Sequence, residues 1–360
     1  MSSLELIACK NALSHRRFDF SDSKVVRISS RNSDLYVSKF GEVEDPFVID
    51  KTKIGDSKAT RRLALKTQVV FSPDNPHIRT RYSHTGDVRS VAESISNILG
   101  LNDKLTEAIA LGHDIGHAPA GHLFERVAKK DFGVEFKHEV FSAILATFIE
   151  RKGSGLNLTE QTINGILNHS QDSNGHFTEE ARVVMYSDKI AYIADDIKDL
   201  ARIGALSTSD FEDMNDIFPI DSPYTNNQRL FVSTCIEALV TESAQKGFVS
   251  FEDSQIAQNF IRLKKYMYGH YARLDSKLLN QTVSSVISEV SSIKGYDPIL
   301  LTAMMTDSEI KFLYDKIISS RKISRDDISR FGVGEIIDEM NLENQSYQDL
   351  VVRLHQKVSF

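Results

Sequence analysis

Cysteine is nearly absent. The 360 residues hold two, Cys9 and Cys235, too far apart for a thiolate metal site and too few for a disulfide framework, which suits a reducing cytoplasm. Tryptophan does not occur, and the 7 prolines and 18 glycines form no Pro-rich or Gly/Ser-rich linker that would mark a domain boundary. No uninterrupted apolar run approaches the roughly 18 residues needed to span a bilayer, and the opening MSSLELIACKNALSHRR lacks the apolar stretch and cleavage site of a signal peptide. A cytoplasmic chain without membrane contact is expected. Positive charge is also in short supply. The formal net charge of -7 gives no general attraction to polyanions, so nucleic acid is not the default partner and a phosphate must be held by a local cluster of Lys and Arg.

What is present suits a globular chain. A hydrophobic fraction of 41% fills the core of one large or two ordinary domains. From Ser14 to about Phe47 the chain mixes Ser, Asp and Arg with β-branched pairs such as Val25, Val26 and Val48, Ile49, which predicts an irregular arm with short strands. From Asp50 the pattern turns helical. Gly86 to Leu99 carries Val88, Val91, Ala92, Ile95, Ile98 and Leu99 on one face and stops at Gly100; Asn102 caps a second helix that runs out near Gly112. Further helices are predicted over His122–Lys130, Lys137–Arg151, Glu160–Asn168 and Glu179–Ile203, and the remainder reads as mostly helical, with polar breaks near Ser222–Asn227 and Lys246–Asp253. No internal repeat stands out. The expectation is an all-α fold divided into an arm over 1–49, a catalytic core over 50–205 and a helical region over 206–360 packed on that core.

Five of the eleven histidines, His84, His113, His117, His122 and His138, crowd into one stretch. A lone histidine is more often a surface or hydrogen-bonded core residue; five together point to a site. Imidazole nitrogens with carboxylate oxygens suit a divalent cation, and His84, His113, Asp114 and a later Asp make such a set. Neighbouring side chains on a helix diverge by about 100°, but a fraying helix end can turn both inward, which explains a His113-Asp114 pair ahead of Gly116 and Pro119. The later carboxylate is read as Asp188, because EARVVMYSDKIAYIADDIKDLAR forms a helix with Asp188, Tyr192, Asp195 or Asp196, and Asp199 recurring along one side. Asp199 is read as a solvated position.

The segments RYSHTGDV, HDIGHAPAGHLFE and SDKIAYIADD resemble the HD-domain motifs, an H, an HD pair and a distant D. DKTKIGDSKATRRLALKTQVVF resembles the stretch preceding the first ligand in dGTPases and related dNTP triphosphohydrolases. The similarity covers roughly Asp50 to Asp199. Lys51, Thr52 and Lys53 stand where that family has an alternating Arg and Asp run, and Thr60 replaces an aromatic.

The resemblance implies an HD-domain helical fold and hydrolysis of a dNTP, dGTP foremost, to deoxynucleoside and inorganic triphosphate. Such a reaction needs a divalent ion, Mn2+, Mg2+ or Fe2+, held by His84, His113, Asp114 and Asp188. The departing 5′ oxygen needs a proton donor; His122 is the candidate, with Glu125 one helical turn on to orient it. The resemblance places His117 and His138 near the phosphates, as donors or supporting groups. Arg81 and Lys189, each beside a proposed ligand, supply cations, with Arg61 and Arg62 as weaker candidates, one of which is equally readable as a structural ion-pair residue. Tyr192 and Asp196, at i+4 and i+8 from Asp188, are placed to meet the deoxyribose, and Gln68 sugar or base. LKKYMYGHY has the Lys and Tyr content of a helix that closes the pocket in this family. The resemblance also implies a homo-oligomer and a nucleotide activator. The competing readings are another HD phosphohydrolase, such as a 5′-deoxynucleotidase or cyclic-nucleotide phosphodiesterase, and a non-catalytic nucleotide or single-stranded DNA sensor.

Overall fold

The computed structural model describes residues 3–19, 27, 35–40, 45–170, 178–218, 228–274, 277–329, 332–334 and 345–358. Every named element among them is helical, so the fold is all-α as expected, and the β-type pairing among the described residues is two isolated bridges, Arg27 with Thr159 and Thr67 with Thr80. Val25, Val26 and the polar stretch 222–227 lie outside the described residues. No helix of the described residues is long and apolar enough to cross a membrane.

One expected strand is a helix. Val48 and Ile49 lie within Pro46–Gly55, where Asp45 caps the end through Phe47 N and Pro46 occupies the first turn. Pro at that position and an N-capping carboxylate outweigh the β preference of two branched residues, and burial of Phe47, Ile49 and Ile54 completes the choice. The helix starting at Gly86 in the sequence reading begins earlier, at Arg81, because Thr80 and Ser83 form a capping box. It stops at Gly100, which adopts the left-handed conformation (φ 77). Asp103–Gly112 is capped by Asn102, whose side chain accepts from Lys104 N and Leu105 N. The stretch expected as one helix over Lys137–Arg151 is His138–Ile144 running into a π-turn at Leu145–Ile149, and it ends where Arg151 and Lys152 turn left-handed.

The helices build two apolar cores. The first gathers Val88, Ile95, Leu105, Ile109, Val184 and Ile190 with Leu239 and Leu263 from Gln228–Lys246 and Gln255–Leu274. The second gathers Ile115, Phe124, Phe141 and Ile166 with Val286, Leu301, Leu313 and Leu354 from Lys277–Val290, Pro298–Met304, Asp307–Ile318 and Tyr347–Lys357. The chain crosses from one to the other between Ala110 and Ile115, which puts His113 and Asp114 at the seam.

The polar break expected at Lys246–Asp253 is a loop wound around one carboxylate. Glu242 accepts from Ser250 Oγ (2.6 Å), Glu252 N (2.8 Å), Asp253 N (3.1 Å), Ser254 N (3.0 Å) and Lys246 Nζ (3.1 Å). Burial opposes its charge, but these donors outweigh burial and bring the carboxyl down to about 2. A lowered pKa stabilises the fold above the ordinary carboxylate range and loses that contribution as pH falls toward the folded value. Glu242→Gln is therefore expected to cost about 1–3 kcal/mol in urea unfolding at neutral pH, with the gap to wild type narrowing as the pH is lowered. An unchanged gap would mean that the loop is held by its backbone alone.

Candidate metal centre

His84 and Asp188 come from two helices packed side by side, Arg81–Leu99 and Glu179–Arg202. His84 Nε2 lies 3.0 Å from Asp188 Oδ1, and His113 Nε2 lies 3.7 Å from the same oxygen and 3.6 Å from Asp114 Oδ1. His113 Nδ1 faces Ala110 O at 2.7 Å. A carbonyl only accepts, so the ring proton sits on Nδ1 and the Nε2 lone pair points into the site. That buried Nε2 has no hydrogen-bond partner. With ligand bonds of about 2.1 Å, cis donors around one ion stand about 3 Å apart, close to the spacings here. The orphaned nitrogen and the mixed N/O donors fit a divalent cation.

The His-Asp turn is fixed from outside. Ser142 Oγ accepts from Gly116 N (2.9 Å) and donates to His113 O (2.9 Å). A Cβ on Gly116 would fall 2.1 Å from Ser142 N, so only glycine lets the turn dock on the helix behind it. Arg81 Nη1 donates to Asp114 Oδ2 at 2.8 Å, and its Nη2 donates to the Gln68 carbonyl at 3.3 Å. Gly121, with φ +57, leaves room for that guanidinium, since a Cβ there would meet Arg81 Nη2 at 2.7 Å. Burial would raise the Asp114 carboxyl, but His113 and Arg81 outweigh it and hold it below the usual carboxylate range.

Beside this set lies a histidine relay. His122 Nδ1 is 3.0 Å from Glu125 Oε2, and Glu125 Oε1 accepts from His138 N (3.1 Å) and faces His138 Nδ1 at 2.8 Å. Burial works against a charge on His138, yet Glu125 overcomes it and pushes the ring up to about 9. Burial also opposes the Glu125 charge, and His138 and His122 together hold that carboxyl well below its usual value. His117 stacks on His138 with centroids 3.9 Å apart and planes 11° from parallel. Burial, then the positive charge of Arg81, pushes His117 well down. The His122 ring centroid is 5.2 Å from that of His117 and 5.3 Å from that of His138, and His122 itself is 61% exposed.

Past Asp188 the same helix carries Tyr192, whose hydroxyl lies 3.2 Å from that of Tyr268 on Gln255–Leu274. Asp196 is buried with one oxygen unpaired. Burial pushes its carboxyl up to about 7 against the pull of the Tyr271 hydroxyl. Gln68 has its side-chain oxygen buried and unbonded. Lys189 is buried, its ammonium 6.0 Å from the Tyr186 ring. Arg62 lies 3.8 Å from Glu150, the carboxylate that accepts from Lys58 N and Ala59 N at the start of Lys58–Leu63. That pairing favours the structural reading of Arg62.

Asp199 is not solvated as expected. It is buried, accepting from Arg79 N (2.8 Å) and Arg202 Nη1 (2.7 Å). Three groups escaped the sequence reading. His169 ends the Glu160–Leu167 region, outside the crowded histidine stretch, with Nε2 3.2 Å from His138 Nε2. Lys66 reaches the His117 carbonyl, and Asp307, on a helix of the second core, accepts from Thr67 and from Ala120 N (3.1 Å). The apolar pattern of TINGIL ahead of His169 was the available signal for a buried imidazole.

The HD domain family model matches residues 81–193, which begins at Arg81 and takes in all four candidate ligands. The chain is 38% identical over 255 residues to a deoxyguanosinetriphosphate triphosphohydrolase-like protein of Clostridium perfringens (strain SM101 / Type A), covering 69% of this chain and 71% of that one. It is 38% identical over 234 residues to the protein of that name from Clostridium tetani (strain Massachusetts / E88), covering 63% of this chain and 66% of the relative. The protein of that name from Caldanaerobacter subterraneus subsp. tengcongensis is 46% identical over 169 residues, covering 47% of this chain and 50% of the relative. The matched stretch thus spans from half to about seven tenths of these relatives.

Proposed function

The chain belongs to the HD-domain, deoxyguanosinetriphosphate triphosphohydrolase-like family, and from that premise we propose that it hydrolyses a deoxynucleoside triphosphate, dGTP foremost, to deoxynucleoside and inorganic triphosphate. The observation that carries the reading is the His122–Glu125–His138 relay set beside the His84, His113, Asp114 and Asp188 donors. A bound divalent ion, Mn2+, Mg2+ or Fe2+, supplies Lewis acidity at the α-phosphate and a water of lowered pKa.

The chain's own groups do the rest. Water adds at the α-phosphorus, the bond from that phosphorus to the 5′ oxygen breaks, and the 5′ oxygen takes a proton from His122. Glu125, bonded to His122 Nδ1, leaves Nε2 of that ring to deliver the proton. Arg81, clamped on Asp114, and the positively charged His138 face the triphosphate, with neutral His117 stacked between site and relay. Lys189 adds a cation from the ligand helix. Tyr192 packs under the sugar where a 2′-hydroxyl would stand, the unpaired Asp196 oxygen takes the 3′-hydroxyl, and the unbonded Gln68 oxygen takes a donor on sugar or base. The same reading carries a homo-oligomer, a nucleotide activator and a cytoplasmic setting, with the arm over 1–49, core over 50–205 and helical region over 206–360 as its divisions.

The test is incubation with each of the four dNTPs and with GTP, in Mn2+ or Mg2+, with products resolved by chromatography and His113→Ala as control. Deoxynucleoside and inorganic triphosphate from dGTP, absent with the variant and with GTP, are expected. Pyrophosphate or monophosphate would replace this reading with another HD phosphohydrolase, and tight nucleotide binding without turnover would replace it with a sensor.

A further inference from the structure

We infer that Asp307 is a positioning residue for His122: its carboxylate, reaching in from the second core, fixes the turn over 117–122 that aims the His122 ring. The inference rests on reading His122 as the proton donor.

The turn is held under strain. Ala120 has φ +59, a left-handed conformation that a side chain disfavours, and Gly121 follows with φ +57. A strained turn persists only where its surroundings over-determine it. The helix His122–Phe132 that leaves the turn has no side-chain cap at its start, so the direction in which His122 sets out depends on what grips the residues before it.

The grip comes from Lys66 and from the segment 303–307. At one end of the turn, buried Lys66 Nζ donates to the His117 carbonyl and, at 3.0 Å, to the Ala303 carbonyl. Toward the other end, Ala120 N donates to Asp307 Oδ1 at 3.1 Å. Asp307 Oδ2 is taken by Thr67, which donates both its backbone N–H (2.8 Å) and its hydroxyl. The carboxylate is buried, and its partners lie 187 and 240 residues away in the chain. Its own helix, Asp307–Ile318, does not need it, because Thr306 and Glu309 form the capping box there.

Both Asp307 oxygens accept, so an amide is the informative change. In Asp307→Asn the NH2 must face either the Ala120 N–H or the Thr67 N–H, and donor against donor drives one of them off. Thr67 is the stiffer side, since it pairs with Thr80 across an isolated bridge. The Ala120 contact is therefore the one that yields, and His122, two residues on, loses its aim.

The test compares Asp307→Asn, His122→Asn and the double variant in dGTP hydrolysis, together with NMR of the full chain carrying isotope-labelled histidine. Asp307→Asn is expected to lose about ten- to a hundredfold in kcat, the scale of an ångström-sized misplacement. In the His122→Asn background the same change should cost nothing further, because the two act through one ring. The His122 ring signals, identified by their absence in His122→Asn, should move in Asp307→Asn while those of His84 stay. Thr67→Val removes one donor to Asp307 with little change of shape; it should give a smaller loss in the same cycle, and it carries the test if Asp307→Asn does not fold. An equal loss with and without His122, or ring signals that do not move, would overturn the inference and leave Asp307 a purely structural tie. A wild type that does not turn over dGTP would overturn the proposed reaction instead, and the ring signals then decide the positioning alone.

Discussion

Asp188→Asn is expected to lower kcat about a thousandfold or more, the equivalent of about 4 kcal/mol in the barrier, while leaving the folded structure in place. Asp188 Oδ1 lies 3.0 Å from His84 Nε2 and 3.7 Å from His113 Nε2. Burial would raise its carboxyl, but the His113 and His84 rings beside it more than reverse this and hold it well below its usual range. An amide of the same shape keeps the packing and removes the charge that offsets the cation. The side chain is 21% exposed, so the loss should appear in steady-state kinetics and Mn2+ affinity, with little change in thermal unfolding. Turnover within tenfold of wild type would remove Asp188 from the ligand set.

His122→Asn is expected to reduce kcat by about 10²–10⁴, the usual contribution of a positioned proton donor, with metal affinity and stability unchanged. Its exposure of 61% makes a folding defect an unsuitable explanation for any loss. Glu125→Gln should give a similar kinetic loss together with a measurable stability cost. Glu125 holds His138 through both backbone and ring as well as holding His122. Kinetics and urea unfolding on the same two proteins separate these effects. If His122→Asn turns over at the wild-type rate, the proton must come from elsewhere, and the relay is a structural brace.

Helical periodicity and caps were enough to read the bodies of the helices near the candidate ligands, but not the Thr80–Ser83 capping box that extends the first of them back over His84. Val88 to Leu99 and Leu105 to Leu111 repeat at 3.6 residues, and Gly100 and Asn102 punctuate them. The His113-Asp114 turn was legible because a helix end must lie where glycine and proline follow. The His122–Glu125 contact follows from helical spacing alone. What could not be read depends on partners distant in the chain. Asp199 is buried because Arg79, 120 residues away, meets it. His169 matters only once the Glu160–Leu167 helix has been folded against His138–Ile144. Val48 and Ile49 were misread because branched side chains favour strands in isolation, and a cap with tertiary burial decided otherwise.

The seam between the two cores has a thermodynamic side. His84 and Asp188 sit on helices of the first core, His138 and His169 adjoin the second, and Asp114 lies on the crossing. A cation held by His84 and Asp188 clips together positions 104 residues apart. Closing a loop of that length with a covalent bond removes about 4.7 kcal/mol of chain entropy from the unfolded state, and metal clips act by the same rule. Cys9 and Cys235 are both buried and unpaired, so no disulfide among them constrains the unfolded chain. On the proposed ligand set, an ion would then serve as the chain's cross-link, reversible and open to removal by a chelator.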